Sequence, residues 1–420
     1  MSDFRQLRVG DHISLLSGFP FSSDYFDQQE GTRLIRIRDL MDSEGETYYR
    51  GAFDSKWLVR PRDILIGMDG DFNIVRWKGS EALLNQRILK ADAKPNGLIE
   101  KDFFFYWFGP LLLQIHNRTA ATTVKHLSIK AVENAKGLFP DKFAQCRIAE
   151  ILSTLDEAIA QTEALIAKHQ QIKAGLMHDL FTRGVTPDGH LRPTREQAPD
   201  LYKESPLGWI PKEWDWDYLQ NLTLKIVDGV HHTPSYVEHG VPFVTIKNLT
   251  ASQSIDFKEL SYVTLADHHE FLKRADPKPG DVLVTKDGTL GVSRIVEPYH
   301  PEFSIFVSVA QLRPIATRLR PQMLHSFFDS GFYEQQMGGL SAGSGLKHIH
   351  LAHFRRFQIP LPSPNEQDRI AVIIFAANER LASEMLLLAK LCQQKHGLMH
   401  DLLTGRVRVN ATKVMAGTTS

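Results

Sequence analysis

The apolar positions of this chain fall into two long helical stripes. From Arg147 the sequence reads "RIAEILSTLDEAIAQTEALIAKHQQIKAGLMHDLFT". Its Ile148, Ile151, Leu152, Leu155, Ile159, Ile166, His169, Leu176 and Leu180 lie on one face, mostly three or four residues apart. From Arg369 the stretch "RIAVIIFAANERLASEMLLLAKLCQQKHGLMHDLLT" repeats the pattern with Ile370, Ile373, Ile374, Ala377, Leu381, Leu388, Leu391, Leu398 and Leu402. The two stretches stand 222 residues apart and align without a gap, with half of their positions identical. That separation is far beyond solenoid periods of about 20 to 50 residues. It predicts a whole domain with its helix, used twice. Each helix would run roughly 54 Å at about 1.5 Å per residue. A stripe that long needs a partner, and the simplest is its own repeat, as an antiparallel coiled coil.

The segments ahead of each helix repeat more faintly. "LRVGDHISLLSGFPF" has a counterpart in "LTLKIVDGVHHTPSY", and "TRLIRIRDL" in "VPFVTIKNLT", each a short strand followed by a polar stop. "VRPRDILIGMDGDFNIVRW" matches "PKPGDVLVTKDGTLGVSRI", two strands joined through Asp69-Gly70 and Asp287-Gly288. "TVKHLS" at Thr123–Ser128 stands 222 residues before "GLKHIH" at Gly345–His350. The offset drifts between these landmarks, which predicts insertions in loops. The expected fold class is α+β: two strand-rich domains, two long antiparallel helices and a pseudo-twofold internal repeat. Between the units, "RGVTPDGHLRPTREQAPDLYKESPLGWIPKEWDWDYL" reads as a linker closed by Trp209, Trp214 and Trp216.

Composition narrows the chemistry. The 420 residues carry 42% hydrophobic and 23% charged side chains, an ordinary globular balance. Lys and Arg number 49 against 49 Asp and Glu, so any basic groove is local. Two cysteines, Cys146 and Cys392, are too few for a disulfide framework and fit a reducing cytoplasm. The start "MSDFRQLRVGDH" lacks the apolar core of a signal peptide, and no apolar run of about 18 residues free of charge predicts a membrane span. No phosphate-binding G-x-x-x-x-G-K-[ST] loop, G-x-S-x-G elbow or H-E-x-x-H helix is present. Nor is there the N-P-P-[YF]-like loop or glycine-rich methyl-donor motif of an amino-methylating enzyme. "KHIHLAHF" brings His348, His350 and His353 close in sequence, but the first copy "KHLSIKAV" keeps only the first histidine, so no metal is expected. The absence of a catalytic constellation points to binding. Two similar but unequal domains on a rigid spacer would suit two half-sites on duplex DNA, whose recognition features return about every 34 Å.

The order of elements then becomes specific. "IPLPSPNEQDRIA", a long helix and "KHGLMHDLLTGRVRV" resemble the end of the specificity subunit of type I restriction–modification systems. "YKESPLGWIPKEW" resembles that family's approach to its second target recognition domain. The lead-in L-P-x-P-x-x-E-Q is clear from Leu361 to Gln367 but eroded in the first unit to "GLFPDKFAQC", where Gln145 is the counterpart of Gln367. The resemblance implies a target recognition domain at residues 1–141, a spacer helix at 142–185 and a linker at 186–216. A second recognition domain at 217–362, a spacer helix at 363–405 and a tail at 406–420 follow. It further implies a non-catalytic cytoplasmic chain that binds double-stranded DNA, two methyltransferase subunits and two motor-nuclease subunits. S-adenosylmethionine, ATP and magnesium would belong to those partners. On the residues alone, a stand-alone DNA-modifying enzyme and a coiled-coil scaffold without a DNA role remain open.

Candidate contacts follow from the repeat. Loops whose place recurs while their side chains differ suit DNA, because phosphate contacts fix position and base contacts carry sequence. The candidates are Arg36 and Arg38 against Lys247 and Asn248, and Asp69 and Asp71 against Lys286 and Thr289. The repeated basic pairs Lys125-His126 and Lys347-His348 suit phosphates or a shared framework role. Ser341 and Ser344 in the glycine-rich "LSAGSGLKHIH" complete the set. For partner docking, the twice-written face offers Lys168, Lys173, Met177, His178 and Asp179 with Lys390, Lys395, Met399, His400 and Asp401.

Overall fold

The computed structural model describes residues 4–41, 45, 47–119, 125–341 and 348–409. The chain divides into two units, Met1–Glu163 with Leu386–Ser420, and Ala164–Met385. The main strands of the first unit are β1 (Arg5–Arg8), β2 (Ile13–Ser17), β3 (Thr32–Ile35), β4 (Ile64–Gly67), β5 (Ile74–Arg76), β6 (Ala82–Leu84), β7 (Ile88–Ala93) and β8 (Lys136–Phe139). An antiparallel sheet takes the order β2-β7-β4-β5, β3 lies parallel to β6, and β1 pairs antiparallel with β8. Helix α1 spans Lys101–Arg118 and α2 spans Lys142–Thr182.

The second unit repeats this plan. Its main strands are β9 (Asp215–Tyr218), β10 (Thr223–Asp228), β11 (Val241–Val244), β12 (Val282–Thr285), β13 (Ser293–Ile295), β14 (Ser304–Ile305), β15 (Val309–Pro314) and β16 (Gln358–Leu361). The sheet order is β10-β15-β12-β13, β11 lies parallel to β14, and β9 pairs antiparallel with β16. Helix α3 spans Leu265–Leu272 and α4 spans Pro364–Leu403. The four-stranded sheet, the parallel pair and the antiparallel pair recur in both units. The sheet that holds the parallel pair has five strands in the first and three in the second. The faint sequence repeat is therefore one fold written twice. Every residue of β4 ("ILIG") and β12 ("VLVT") is buried, as a short unbroken apolar run predicts for an inner strand.

Each unit's core includes parts of both long helices. In the first, Ile148 and Leu152 of α2 share a cluster with Leu402 of α4, Phe103, Phe104, Phe108 and Phe139. Lys395 of α4 pairs there with Asp156 of α2 at 2.5 Å. In the second, Met177, Leu180 and Phe181 of α2 share a cluster with Ile370 and Ile374 of α4, Trp214, Phe327 and Phe354. Leu176 and Leu398 pack at the margins of these cores.

A buried glutamine fixes the start of each helix. Gln145 Nε2 donates to the carbonyls of Leu98 (2.9 Å) and Pro140 (2.8 Å), and its Oε1 accepts from the Glu100 N–H at 2.8 Å. Gln367 Nε2 donates to the carbonyls of Arg318 (2.8 Å) and Pro362 (2.9 Å), and its Oε1 accepts from the Arg320 N–H at 2.8 Å. Both side chains are fully buried, and each amide satisfies the loop that enters its helix. The eroded lead-in of the first unit therefore keeps the same junction.

The stretch between the units is anchored within the second. Arg192 pairs with Glu366 in the interior and with Glu213 at 2.7 Å, while the Val185 N–H donates to Glu366 Oε1 at 2.8 Å. A hairpin joins Tyr202–Ser205 to Gly208–Pro211, and β9 begins at Asp215, inside the stretch read as linker. Of the three tryptophans, Trp214 is buried and Trp216 packs beside it, whereas Trp209 is exposed under the Arg195 guanidinium. Among the described residues, no helix is long and apolar enough to cross a membrane.

Candidate nucleic-acid interface

One end of each four-stranded sheet gathers the repeated loops. In the first unit β2 and β4 end there and β5 and β7 begin there, bringing Gly18, Asp69, Arg87 and His126 to one edge. Gly18 lies so close to the Asn85 carbonyl that a Cβ would stand 1.9 Å from its oxygen. Gly229 meets the Ile305 carbonyl in the same way, again at 1.9 Å. After each central strand comes the Asp-Gly turn, with φ at 72° for Gly70 and 64° for Gly288, which glycine adopts without Cβ strain.

The turn is tied to the later basic loop in both units. Asp69 bridges His126, with Nδ1 2.6 Å from Asp69 Oδ1, and Asp287 bridges His348 through the same two atoms. The backbone repeats as well. The Leu127 N–H donates to the Met68 carbonyl at 2.7 Å, and the Ile349 N–H donates to the Lys286 carbonyl at 2.8 Å. Asp69 also lies 3.4 Å from Arg87 Nε, and Arg87 holds a left-handed φ of 72°. A non-glycine residue in that region is strained, and such strain concentrates where a side chain is aimed. Arg87 carries no sequence signal, because its importance lies in a backbone angle.

The structure sorts the sequence candidates. Arg38 is exposed, and Arg36 is half-buried with its guanidinium over the Phe26 ring. Asp71 is fully exposed, 3.7 Å from His116. Lys125 is turned inward, donating to the His116 carbonyl at 2.9 Å, so its role is to tie its loop to α1. Lys247 and Thr289 are exposed.

Two candidates are corrected. Asn248 is buried: its Nδ2 donates to the carbonyls of Asp256 and Glu259, both at 3.1 Å, and its Oδ1 accepts from the Thr245 N–H at 2.8 Å. No edge of that amide is free to read a base. Lys286 is also buried, its Nζ 3.1 Å from Asp228 Oδ2, so it acts as an internal counterion. Asn248 and its counterpart Asp39, which accepts from the Arg36 N–H at 2.8 Å, are turn-forming residues. Ser341 closes a helix from Gly331, while Ser344 and Lys347 lie outside the described residues. His348 and His350 stand with ring centroids 4.5 Å apart, but among the described residues no three potential ligands assemble around a metal position.

The partner face is likewise reduced. Met177 is buried and Met399 packs on the first core, so both are core residues. Lys395 is held by Asp156, and Lys173 lies 3.8 Å from Asp329. Asp179 and Asp401 face Arg183 (3.0 Å) and Arg406 (4.0 Å) at the helix ends. Lys168, His178, Lys390 and His400 remain exposed at matching positions.

Residues 1–171 match the family model for the type I restriction modification DNA specificity domain, and the same fold recurs in the second unit. The EcoBI type I restriction enzyme specificity subunit of Escherichia coli is 28% identical over 365 residues, covering 85% of this chain and 75% of that protein. The MjaVIII specificity subunit of Methanocaldococcus jannaschii is 22% identical over 413 residues, covering 97% and 93%. Among solved structures, the type I restriction–modification S subunit from M. genitalium superposes with a TM-score of 0.63 at 14% identity, covering 98% of this chain and 97% of that one. This last likeness concerns the fold. It extends across both units.

Proposed function

We propose that the chain is the DNA sequence-recognition subunit of a type I restriction–modification complex. Each strand-rich domain reads one half of an asymmetric bipartite site, and the long helices set the spacing and dock two methyltransferase subunits. The chain itself is non-catalytic. S-adenosylmethionine, ATP and magnesium act in the methyltransferase and motor-nuclease partners. The observation that carries this reading is the sheet-end framework, built twice with the same glycine approach and Asp–His tie but different surrounding side chains. A common framework places two loops alike on a duplex, while unlike side chains read unlike bases.

The test is selection from a random duplex pool by the chain co-purified with its methyltransferase partner. Two unlike short blocks at a fixed gap are expected, and only when the chain is present. The same enrichment by the partner alone, or enrichment of one contiguous block, would overturn the proposal.

A further inference from the structure

A cationic cluster at the loop end of the second sheet has no equivalent at the matching strand-end positions described in the first. Asp228, the last residue of β10, is buried. Its Oδ2 faces Lys286 Nζ at 3.1 Å, and its Oδ1 accepts from Arg274 Nη2 and lies 3.1 Å from His231 Nε2. Arg274, just beyond α3, also donates through Nε to the carbonyls of Asp228 (3.1 Å) and Gly229 (2.9 Å). Burial alone would raise the Asp228 pKa, but the hydrogen bonds from Arg274, His231 and Lys286 hold it below the ordinary carboxylate value. The matching positions before Gly18 and Asp69 are Ser17 and Met68, which carry no charge.

One carboxylate thus stands against two basic side chains, Lys286 and Arg274. The Lys286 side chain is 4% exposed, and its charge is spent internally on Asp228. Arg274 is 47% exposed, with Nε and Nη2 engaged and no partner at Nη1 among the described residues. Reading guanine takes two parallel donors from one guanidinium. A single outward nitrogen carrying surplus positive charge instead matches one phosphate oxygen, which asks for charge and a donor and carries no sequence.

We infer that Arg274, braced by Asp228 and Gly229, is a phosphodiester-binding residue that fixes the second recognition domain on the DNA backbone. The inference rests on the recognition reading above. It makes the two domains unequal in their hold on the backbone as well as in the bases they read.

The experiment uses the co-purified complex, with its selected target and a scrambled duplex of equal length, titrated across a salt series. Arg274→Met should weaken binding to both duplexes by a similar factor, on the order of tenfold. It should also lower the slope of log affinity against log salt by about 0.9, the value for one phosphate contact. Arg274→Lys keeps the charge without the brace and should restore most of the slope, which separates a phosphate contact from a folding defect. An unchanged slope in Arg274→Met would overturn the inference. So would a loss confined to the selected target, which marks base reading. If the wild-type complex selects no target, the recognition reading fails and this inference fails with it.

Discussion

Gln145 and Gln367 show how little a side chain must do to hold a junction, provided that it does it in the interior. Each fully buried amide satisfies two carbonyls and one N–H that would otherwise be orphaned. Replacing either by alanine should cost about 1–3 kcal/mol, because buried polar groups lose their partners. Thermal melting would register this, with Lys168→Ala unchanged as the exposed control. Asp276 supplies a second test. Burial would raise its pKa, yet Lys225 and Arg313 hold it well below the carboxylate range. A lowered folded-state pKa gives stability that is present above the unfolded value of about 3.9 and is lost as pH falls through the folded one. Asp276→Asn should therefore melt earlier than wild type at pH 7, and the gap should begin to narrow below about pH 4, as the unfolded carboxylate protonates. A gap that does not narrow at all between about pH 4 and pH 2 would show that the carboxylate's charge is not what matters. The equivalence of the two glutamines was legible in the sequence. The burial of Asn248 and Lys286 was not, because the residue types that read DNA also close turns and balance buried charge, and only burial separates them.

Among the elements, the turns and close approaches carry the repeat more faithfully than the strands do. Gly18 and Gly229 differ in every neighbour, yet each leaves no room for a Cβ against a carbonyl 1.9 Å away. Gly18→Ala or Gly229→Ala should prevent native folding of its unit, read as loss of soluble protein. Gly70 has open space where a Cβ would stand and is constrained only by its φ of 72°. Gly70→Asn should cost no more than about 1 kcal/mol, since asparagine tolerates that region. The long helices were legible from their stripes, because a period of 3.6 residues is a property of sequence. Which twice-written positions stay outside was less so: Met177 and Met399 turned to the cores while His178 and His400 stayed exposed. Their conversion together, His178→Ala with His400→Ala, should reduce co-purification of the methyltransferase partner without lowering the melting temperature. Undiminished capture would remove these residues from the docking face.

For the molecule as a whole, a fold written twice with different loops is the central physical fact. The order of its four-stranded sheet recurs in both units although little of the sheet sequence does, and the cores of both units draw on both long helices. The duplication could be read from the chain because the helices preserve it in register. The loop-end sites could not, because Arg87 depends on a backbone angle and Arg274 on contacts 45 and 46 residues away in sequence. The central claim is that this architecture supplies the sequence choice of a methylating complex. It is tested most directly by sequencing methylated bases in DNA from cells that express the methyltransferase partner with and without this chain. The account predicts N6-methyladenine in one asymmetric two-part motif with a fixed gap, absent when the chain is omitted. Methylation by a folded, active partner that is unchanged without the chain would contradict it.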